Sequence, residues 1–210
     1  MLLAITPPNA TPKVVQHYNA LLGAGLSMLL LRLPNATQEQ YEDCIRAIEP
    51  RHRSKVILAD YFHLVPMAGL GGIHLKASRQ KEWKHWQEVA QAQRIMMSAH
   101  SLDELESLPF CPDLALLSPV FDSISKGGYH ANIDLDECRS RLPKLPFPVL
   151  ALGGITPDNY PLIRSYGFAG GATLGYLAEQ EDAIEEAFLR FAHPEVLTIA
   201  GHDPSSGAGL

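Results

Sequence analysis

Residues 116–128 carry the side chains of this sequence that are best suited to chemistry on a phosphate. They read L-L-S-P-V-F-D-S-I-S-K-G-G and place two hydroxyls, Ser123 and Ser125, beside Lys126 and a Gly-Gly pair. Hydroxyl donors, a point charge and glycines that let the backbone approach suit a phosphate or pyrophosphate. The apolar run Leu114–Leu117 predicts a buried strand that leads into this loop. The alternative is a solvated surface loop that happens to contain Ser and Lys.

Short apolar segments alternate with helix-like segments along the whole chain. The predicted strands are Leu2–Thr6, Ser27–Arg32, Lys55–Asp60, Gly72–Leu75, Ile95–Ala99, Leu114–Leu117, Val149–Leu152 and Gly171–Leu174. The predicted helices are Pro12–Leu22, Thr37–Ile48, Phe62–Ala68, Gln80–Ala92, Leu102–Leu108, Asp134–Leu142, Pro161–Tyr166 and Asp182–Ala192. Thr11 and Ser101 are the expected N-caps of two of these helices. Continuous Val, Ile and Leu runs are typical of parallel strands that helices cover.

Eight strand–helix pairs predict an α/β fold, the (β/α)₈ TIM barrel. The chain has 210 residues, which is the compact end of the roughly 200 to 400 residues that such barrels use. A doubly wound open sheet is the alternative fold. However, the first strand–helix turn lacks a G-x-G-x-x-G sequence, and no Walker A sequence occurs in the chain. We therefore expect the closed barrel.

Polar residues and glycines gather at the C-terminal ends of the predicted strands, where barrels carry their chemistry. They are Arg32, Asp60, His74, Ser98 with His100, the residues from Ser118 to Lys126, Gly153–Gly154 and Gly175. Each of them alone is more often structural, because a lone Asp or Arg usually forms an ion pair and a lone His usually packs at a rim. Together they come from seven strand–helix units and would face one mouth, which predicts a functional site. Glycines after the last two strands are typical of a backbone phosphate site.

The composition disfavours several classes of partner. A formal net charge of −6 argues against binding to nucleic acid or to a membrane surface, and no apolar run approaches the ~20 residues of a membrane span. The first residues lack a basic region and predict a strand instead of a signal peptide. Three scattered cysteines without a C-x-x-C pair are typical of reduced thiols, so we expect a cytoplasmic protein.

Seven stretches of the chain resemble, in the same order, the motifs of the thiamine-phosphate synthase and thiazole tautomerase superfamily. They are Gly25–Pro34, Leu58–Asp60, Gly72–Arg79, Ser98–Ser101, Ser118–Lys126, Ala151–Ile155 and Gly170–Gly175. The resemblance runs from residue 1 to about residue 192 and implies a TIM-barrel domain over residues 1–193. It also implies a role in thiamine biosynthesis: hydroxymethylpyrimidine diphosphate is joined to thiazole phosphate, and pyrophosphate is released.

The resemblance implies roles for individual residues of this chain. Ser123, Ser125 and Lys126 would hold the pyrophosphate, with Arg32 beside them. Lys126, Arg32 and Ser98, which would line the pyrimidine pocket, are the implied catalytic residues. The implied binders of the substrates further include His74 and, for the thiazole phosphate through backbone N–H groups, Gly154, Leu174 and Gly175. Asp60 would bind Mg²⁺, and the metal and the cations would stabilise the departing pyrophosphate.

The chain departs from the family pattern at four positions. Leu30 and Pro34 stand where the family has Gln and Lys, and Ala59 stands where it has Asn. Arg79 stands where the family has its second metal carboxylate. Because Mg²⁺ often uses one or two protein carboxylates plus substrate oxygens, Asp60 alone could hold it, but weakly.

Two other functions remain open at this point. A thiazole tautomerase needs only proton transfer, for which His74 or His100 could serve as the acid or base. The Pro at position 119, where we associate that branch with His, and the retained Ser123 and Lys126 favour a protein that handles pyrophosphate. A degenerate barrel that binds thiazole or thiamine phosphate without turnover is the third possibility.

The last residues resemble a second protein. Residues 196–210 read V-L-T-I-A-G-H-D-P-S-S-G-A-G-L and resemble the opening strand and glycine-rich turn of hydroxymethylpyrimidine (phosphate) kinase, of the ribokinase-like family. We interpret residues 194–210 as the truncated start of such a domain and expect a fused kinase downstream. The alternative is an extension of the barrel whose glycine-rich sequence is accidental.

Overall fold

The apolar segments form parallel strands, and each strand pairs with the next one along the chain. In the computed structural model, which describes residues 1–89, 94–122, 133–180 and 183–192, they are β1 (Leu2–Ile5), β2 (Met28–Leu31), β3 (Val56–Leu58), β4 (Gly72–Leu75), β5 (Arg94–Ala99), β6 (Leu114–Leu117), β7 (Val149–Leu152) and β8 (Gly170–Thr173). β1 also pairs with β8, where Leu3 lies opposite Ala172. The sheet is therefore a closed barrel, which confirms the predicted fold and excludes the open sheet.

Helices follow the strands and cover the outside of the barrel. They are α1 (Pro12–Gly23), α2 (Gln38–Ala47), α3 (Leu64–Ala68), α4 (Trp83–Val89), α5 (Leu102–Glu106), α6 (Leu135–Arg141), α7 (Tyr160–Ile163), α8 (Gly175–Ala178) and α9 (Ile184–Ala192). Short 3₁₀ helices occupy Pro50–Lys55, Ala77–Glu82, Leu142–Lys144 and Arg164–Tyr166. Both predicted N-caps are confirmed: the Val14 N–H donates to Thr11 Oγ1, and the Glu104 N–H donates to Ser101 Oγ.

Two hydrophobic clusters fill the fold because successive strand residues point to opposite faces of the sheet. The inner cluster lies inside the barrel and consists of Leu3, Ile5, Met28, Leu30, Ile57, Ala59, Met96, Leu114, Leu116, Leu150 and Ala172. The outer, larger cluster lies between the strands and the helices and includes Val15, Tyr41 and Phe62. A filled interior leaves the loops at the strand ends as the place for a binding site.

The join between β1 and β8 depends on small residues. The Gly171 N–H donates to the Met1 carbonyl oxygen over 3.1 Å, and a Cβ atom on Gly170 would lie 1.8 Å from the same oxygen. Close backbone approach therefore excludes a side chain at Gly170. β8 in consequence contributes little side-chain bulk to this side of the barrel.

The helix predicted from Gln80 to Ala92 differs from the structure at its start. The segment expected to form one helix from Gln80 onward begins instead as the 3₁₀ helix Ala77–Glu82 and continues as α4.

Residues 194–210, which we interpret as the start of a kinase domain, lie outside the described residues. Among the residues that are described, no helix has the length and apolar character needed to cross a membrane.

Candidate active site

A cavity of about 590 Å³ opens at the C-terminal ends of the strands. The predicted site residues that line it are Arg32, His74, Ser98, His100, Ser118, Pro119, Gly153, Gly154, Leu174 and Gly175. Its floor is apolar and belongs to the inner cluster, with Ile5, Leu30 and Leu116 among the lining residues. The structure thus brings together residues that lie up to 143 positions apart in the sequence, from Arg32 to Gly175.

Four predicted site residues do not take part in this convergence. Ser123, Ser125 and Lys126 lie outside the described residues. Asp60 is described, but it borders a second, separate cavity of about 430 Å³ beside α2 and α4. Its carboxylate is therefore not among the groups that line the main cavity.

His74 and Ser98 form a polar pair on adjacent strands. The Nε2 atom of His74 lies 2.7 Å from Ser98 Oγ, and His74 is buried. Burial, with a smaller contribution from the charges of Lys76 and Arg32, lowers the pKa of His74 to about 3. The imidazole is therefore neutral near pH 7, and it orients the Ser98 hydroxyl instead of exchanging protons with a ligand.

Arg32 is anchored through its backbone, which leaves its side chain available. The Arg32 N–H donates to Thr6 Oγ1 over 2.9 Å, and the Thr6 hydroxyl donates back to the Arg32 carbonyl. Thr6 is fully buried, so the ends of β1 and β2 are tied together. Within the described residues, no carboxylate forms an ion pair with the Arg32 guanidinium. Its positive charge is thus free for an anionic ligand.

The turn after β7 approaches the loop after β6 closely, and this approach requires glycine. Gly153 and Gly154 have φ values of 101° and 61°, which L-residues with a side chain rarely adopt. A Cβ atom on Gly154 would lie 2.4 Å from the Asp122 carbonyl oxygen. Asn159 fixes the turn, because its Nδ2 donates to the Gly154 carbonyl over 2.8 Å. The backbone of Gly154 is therefore held at the wall of the cavity.

The wall formed by β8 exposes backbone for the same reason. β8 reads G-G-A-T, and Leu174 and Gly175 follow it at the start of α8. All these positions from Ala172 onward line the cavity. A ligand can therefore approach the main chain here, as a phosphate bound by backbone N–H groups requires.

His100 is a second histidine that lines the cavity. Its Nδ1 lies 3.1 Å from the Ser118 carbonyl oxygen. A carbonyl only accepts, so Nδ1 carries the proton of this hydrogen bond and Nε2 is the acceptor of the neutral ring. The His100 N–H donates to Glu104 Oε2 over 2.7 Å, which fixes the residue at the start of α5.

Asp60 is engaged by two cations. Lys76 Nζ lies 3.4 Å from Asp60 Oδ2, and Arg79 Nη1 lies 3.3 Å from Asp60 Oδ1. The two carboxylate oxygens therefore each have a cationic partner. Among the described residues, no group of three or more His, Cys, Asp or Glu side chains is arranged to hold a metal ion.

Arg79 is held rigidly behind Asp60. Its guanidinium carbon lies 4.8 Å from the ring centroids of both Phe62 and Trp86. Its Nε and Nη2 donate to Glu82 Oε2 over 3.3 Å, and Trp86 Nε1 donates to the same oxygen over 2.6 Å. Two aromatic rings and a carboxylate thus fix the cation that contacts Asp60.

Lys76 is a charged residue of this site that was not predicted from the sequence. It borders the main cavity and contacts Asp60 at once. A signal was available, since Lys76 follows His74 by two positions at a strand end, and residues two apart in an extended segment share a face. Lys76 lies within the stretch Gly72–Arg79 that resembles the family, but the resemblance implies no role for it.

Known proteins that resemble this chain identify its family. The family model described as thiamine monophosphate synthase matches residues 2–176. The thiamine-phosphate synthase of Citrobacter koseri is 26% identical over 192 residues, 89% of this chain and 88% of that protein. That of Yersinia pseudotuberculosis serotype O:1b is 27% identical over 168 residues, 77% and 78% of the two chains. The crystal structure of thiamine phosphate pyrophosphorylase from Bacteroides thetaiotaomicron superposes with a TM-score of 0.76 at 25% identity, covering 96% of this chain and 98% of that one. This chain therefore belongs to the thiamine monophosphate synthase family.

Proposed function

We propose that this chain is a thiamine-phosphate synthase, which joins hydroxymethylpyrimidine diphosphate to thiazole phosphate and releases pyrophosphate. Membership of the family supports a transferase of thiamine biosynthesis. In this chain, the composition of the cavity wall supports the proposal. Arg32 and Lys76 supply positive charge, and Gly154, Leu174 and Gly175 supply accessible backbone, above an apolar floor.

These features suit two phosphorylated rings held side by side. An apolar floor with a few polar groups is typical of a site for flat organic molecules. The cations suit the diphosphate of one substrate, and the glycine-rich walls after β7 and β8 suit the monophosphate of the other. A cavity of about 590 Å³ lies within the roughly 300–1,000 Å³ of small-molecule sites.

The proposal gives individual residues the following roles. Arg32 binds the diphosphate, together with Ser123, Ser125 and Lys126. Ser98 contacts the pyrimidine, and His74 is a positioning residue that acts through the Ser98 hydroxyl. Gly154, Leu174 and Gly175 bind the thiazole phosphate through their backbone.

The reaction is a substitution at the pyrimidine methylene carbon. The bond between that carbon and the diphosphate oxygen breaks, and its electron pair leaves with pyrophosphate. The thiazole nitrogen then donates its lone pair to the pyrimidine cation, which forms the C–N bond of thiamine phosphate. Cations beside the leaving oxygens stabilise the charge that develops in this step.

The family generally uses Mg²⁺, and the described residues offer it little. Mg²⁺ prefers oxygen ligands, usually one or two protein carboxylates plus phosphate oxygens. Asp60 is the implied ligand here, and both of its oxygens already contact cationic side chains. These residues do not fit a metal ion held by the protein, and no step above is routed through one.

The cellular setting is part of the proposal. Cys44, Cys111 and Cys138 are all free, and burial raises the pKa of the Cys44 and Cys138 thiols to about 11. Unreactive thiols support a reducing compartment, so we place the chain in the cytoplasm. Its partners are the two small-molecule substrates, and a kinase domain fused after residue 194 would act in the same pathway.

The experiment that tests this function offers both substrates to the purified protein. Formation of pyrophosphate and thiamine phosphate in equal amounts is the expected result, and Arg32→Gln should reduce it strongly. Isomerisation of the carboxylated thiazole phosphate in the absence of the pyrimidine would instead identify a tautomerase. Binding of thiazole phosphate with no product from either assay would identify a barrel without turnover.

A tautomerase would need His74 or His100 as its acid or base, and the burial of His74 argues against that residue. With its pKa lowered to about 3, buried His74 cannot act as an acid near neutral pH. His100 is the remaining candidate at the mouth, and its Nδ1 proton is engaged by the Ser118 carbonyl. No geometry described here favours that reaction over the synthase.

A further inference from the structure

The charges that line the main cavity are all positive among the described residues. Arg32 and Lys76 are the charged side chains in the described part of its wall, and no carboxylate lines that part. A wall of this composition attracts a diphosphate directly, whereas a bound metal ion needs carboxylate or other oxygen ligands from the protein.

The carboxylate of Asp60, the residue expected to bind Mg²⁺, is occupied on both sides. Lys76 and Arg79 each contact a different oxygen of Asp60, at 3.4 Å and 3.3 Å. Arg79 cannot swing away easily, because its guanidinium carbon packs 4.8 Å from the ring centroids of both Phe62 and Trp86 and Glu82 accepts from its other nitrogens. A divalent cation at Asp60 would have to displace these groups and would lie beside two positive charges.

Lys76 has the position that such a cation would need. Its ammonium contacts Asp60 and also borders the main cavity. An ammonium has three N–H donors, and Asp60 accepts from one of them. The others are available to phosphate oxygens, and the carboxylate behind them holds the charge at a fixed point, as it would hold a metal ion.

We propose that Lys76, held by Asp60, replaces the divalent cation of this site and that the chain binds the diphosphate group of its substrate without metal. This inference rests on the function proposed above and deepens it. Arg79 is then a positioning residue: pinned by Phe62 and Trp86, it orients Asp60, and Asp60 orients Lys76.

The test is calorimetric titration of pyrophosphate into the full chain, once in EDTA and once in excess Mg²⁺. We expect the dissociation constant without metal to lie within about threefold of the value with Mg²⁺. Lys76→Met should weaken binding at least tenfold in EDTA. Asp60→Asn keeps the shape of the side chain and should weaken binding several-fold in both buffers, because Lys76 loses its anchor.

A matched control removes a lysine from the other end of the barrel. Lys144 is exposed and precedes β7, so it lies at the N-terminal ends of the strands. Lys144→Met should leave pyrophosphate binding unchanged. Binding of pyrophosphate by the wild type only in the presence of Mg²⁺, or unchanged binding by Lys76→Met, would overturn the proposal.

Spectroscopy separates the metal from the activity. In titrations with Mn²⁺ in the absence of pyrophosphate, the electron paramagnetic resonance signal of free Mn²⁺ should persist for the wild type and for Asp60→Asn alike. A signal that the wild type quenches and Asp60→Asn does not would assign Asp60 to a metal and overturn the proposal. Thiamine phosphate formed only with Mg²⁺ overturns this inference and leaves the synthase intact, whereas no product under any condition removes the synthase itself.

Discussion

The Nε2 atom of His74 lies 2.7 Å from the Oγ atom of Ser98, across the pairing of β4 with β5. The buried Nδ1 atom of the same ring has no hydrogen-bond partner among the described residues. A ring in this setting is stable only as the neutral imidazole, which is why its pKa is lowered to about 3. This pair therefore links the stability of the protein to pH as well as orienting a site hydroxyl.

The first prediction concerns that link. His74 has an ordinary pKa of 6.5 when unfolded and about 3 when folded, so the unfolded state binds more protons between these values. The stabilisation is complete above pH 6.5 and is lost as the pH falls towards 3, by up to about 1.4 kcal/mol per pH unit. Urea unfolding of the wild type and of His74→Gln between pH 7 and pH 4 measures it. The wild type should lose stability more steeply, and equal slopes would contradict the assignment.

The second prediction concerns the turn after β7. Gly154→Ala places a Cβ atom 2.4 Å from the Asp122 carbonyl oxygen at a φ of 61°. We expect a loss of about 2–4 kcal/mol of unfolding free energy, the sum of left-handed strain and a clash with backbone. The dissociation constant of thiazole phosphate should rise at least tenfold.

Gly69→Ala is the matched control for this change. Gly69 has a φ of 67°, and an added Cβ atom would meet nothing within 4 Å. The strain alone should cost about 1 kcal/mol and should not alter ligand binding. Similar effects of the two substitutions, measured by urea unfolding and calorimetry, would argue against a close contact at Gly154.

The third prediction concerns Arg32. Its guanidinium has no carboxylate partner among the residues that the structure describes, so Arg32→Gln should leave stability nearly unchanged. Loss of a charge-assisted hydrogen bond to the diphosphate should weaken pyrophosphate binding roughly 10- to 100-fold. Arg51→Gln is the control, because Arg51 pairs with Glu49 on the 3₁₀ helix before β3, at the far end of the barrel. Equal affinities of the two variants would place the diphosphate elsewhere.

The fourth prediction reverses the charge next to Asp60. Arg79→Asp puts a second carboxylate beside the first and removes a cation, which creates a pair of oxygen ligands suited to Mg²⁺. We expect this variant to bind Mn²⁺ in paramagnetic resonance titrations, and to be less stable by about 1–2 kcal/mol because the rings of Phe62 and Trp86 lose their contact with the guanidinium. Arg79→Met keeps an apolar filling without a carboxylate and should bind no Mn²⁺. Failure of Arg79→Asp, if folded, to bind Mn²⁺ would show that Arg79 is not what keeps a metal away.

The barrel could be predicted because its signals are local. Runs such as Leu29–Leu31 are buried on both faces, which only a covered parallel strand tolerates. Caps such as Thr11 and Ser101 depend on one side chain and a neighbouring N–H, and both are confirmed. Eight strand–helix units predict a closed barrel, and the C-terminal ends of its strands meet at one mouth. Arg32, Ser98 and Gly154, which lie at those ends, were therefore expected to line one cavity.

The surroundings of Asp60 could not be predicted because they depend on tertiary contacts. No local pattern says that Arg79 packs against both Phe62 and Trp86 and turns towards Asp60. These contacts, and the hydrogen bond from Gln80 Nε2 to the Ser98 carbonyl, accompany the tight 3₁₀ turns that replace the expected start of a regular helix. α8 was missed for a related reason: four residues beginning with glycine carry no helical periodicity.

The floor of the cavity is also part of the barrel's interior. Ile5, Leu30 and Leu116 line the pocket and belong to the inner cluster, and each is at most 4% exposed. Truncating such a side chain to Ala would change the shape of the cavity floor. It would also lower the free energy of unfolding by about 2–5 kcal/mol, because core packing is lost. A change in which ring the site accepts therefore costs less stability in the loops than at the base, where each side chain also packs the barrel.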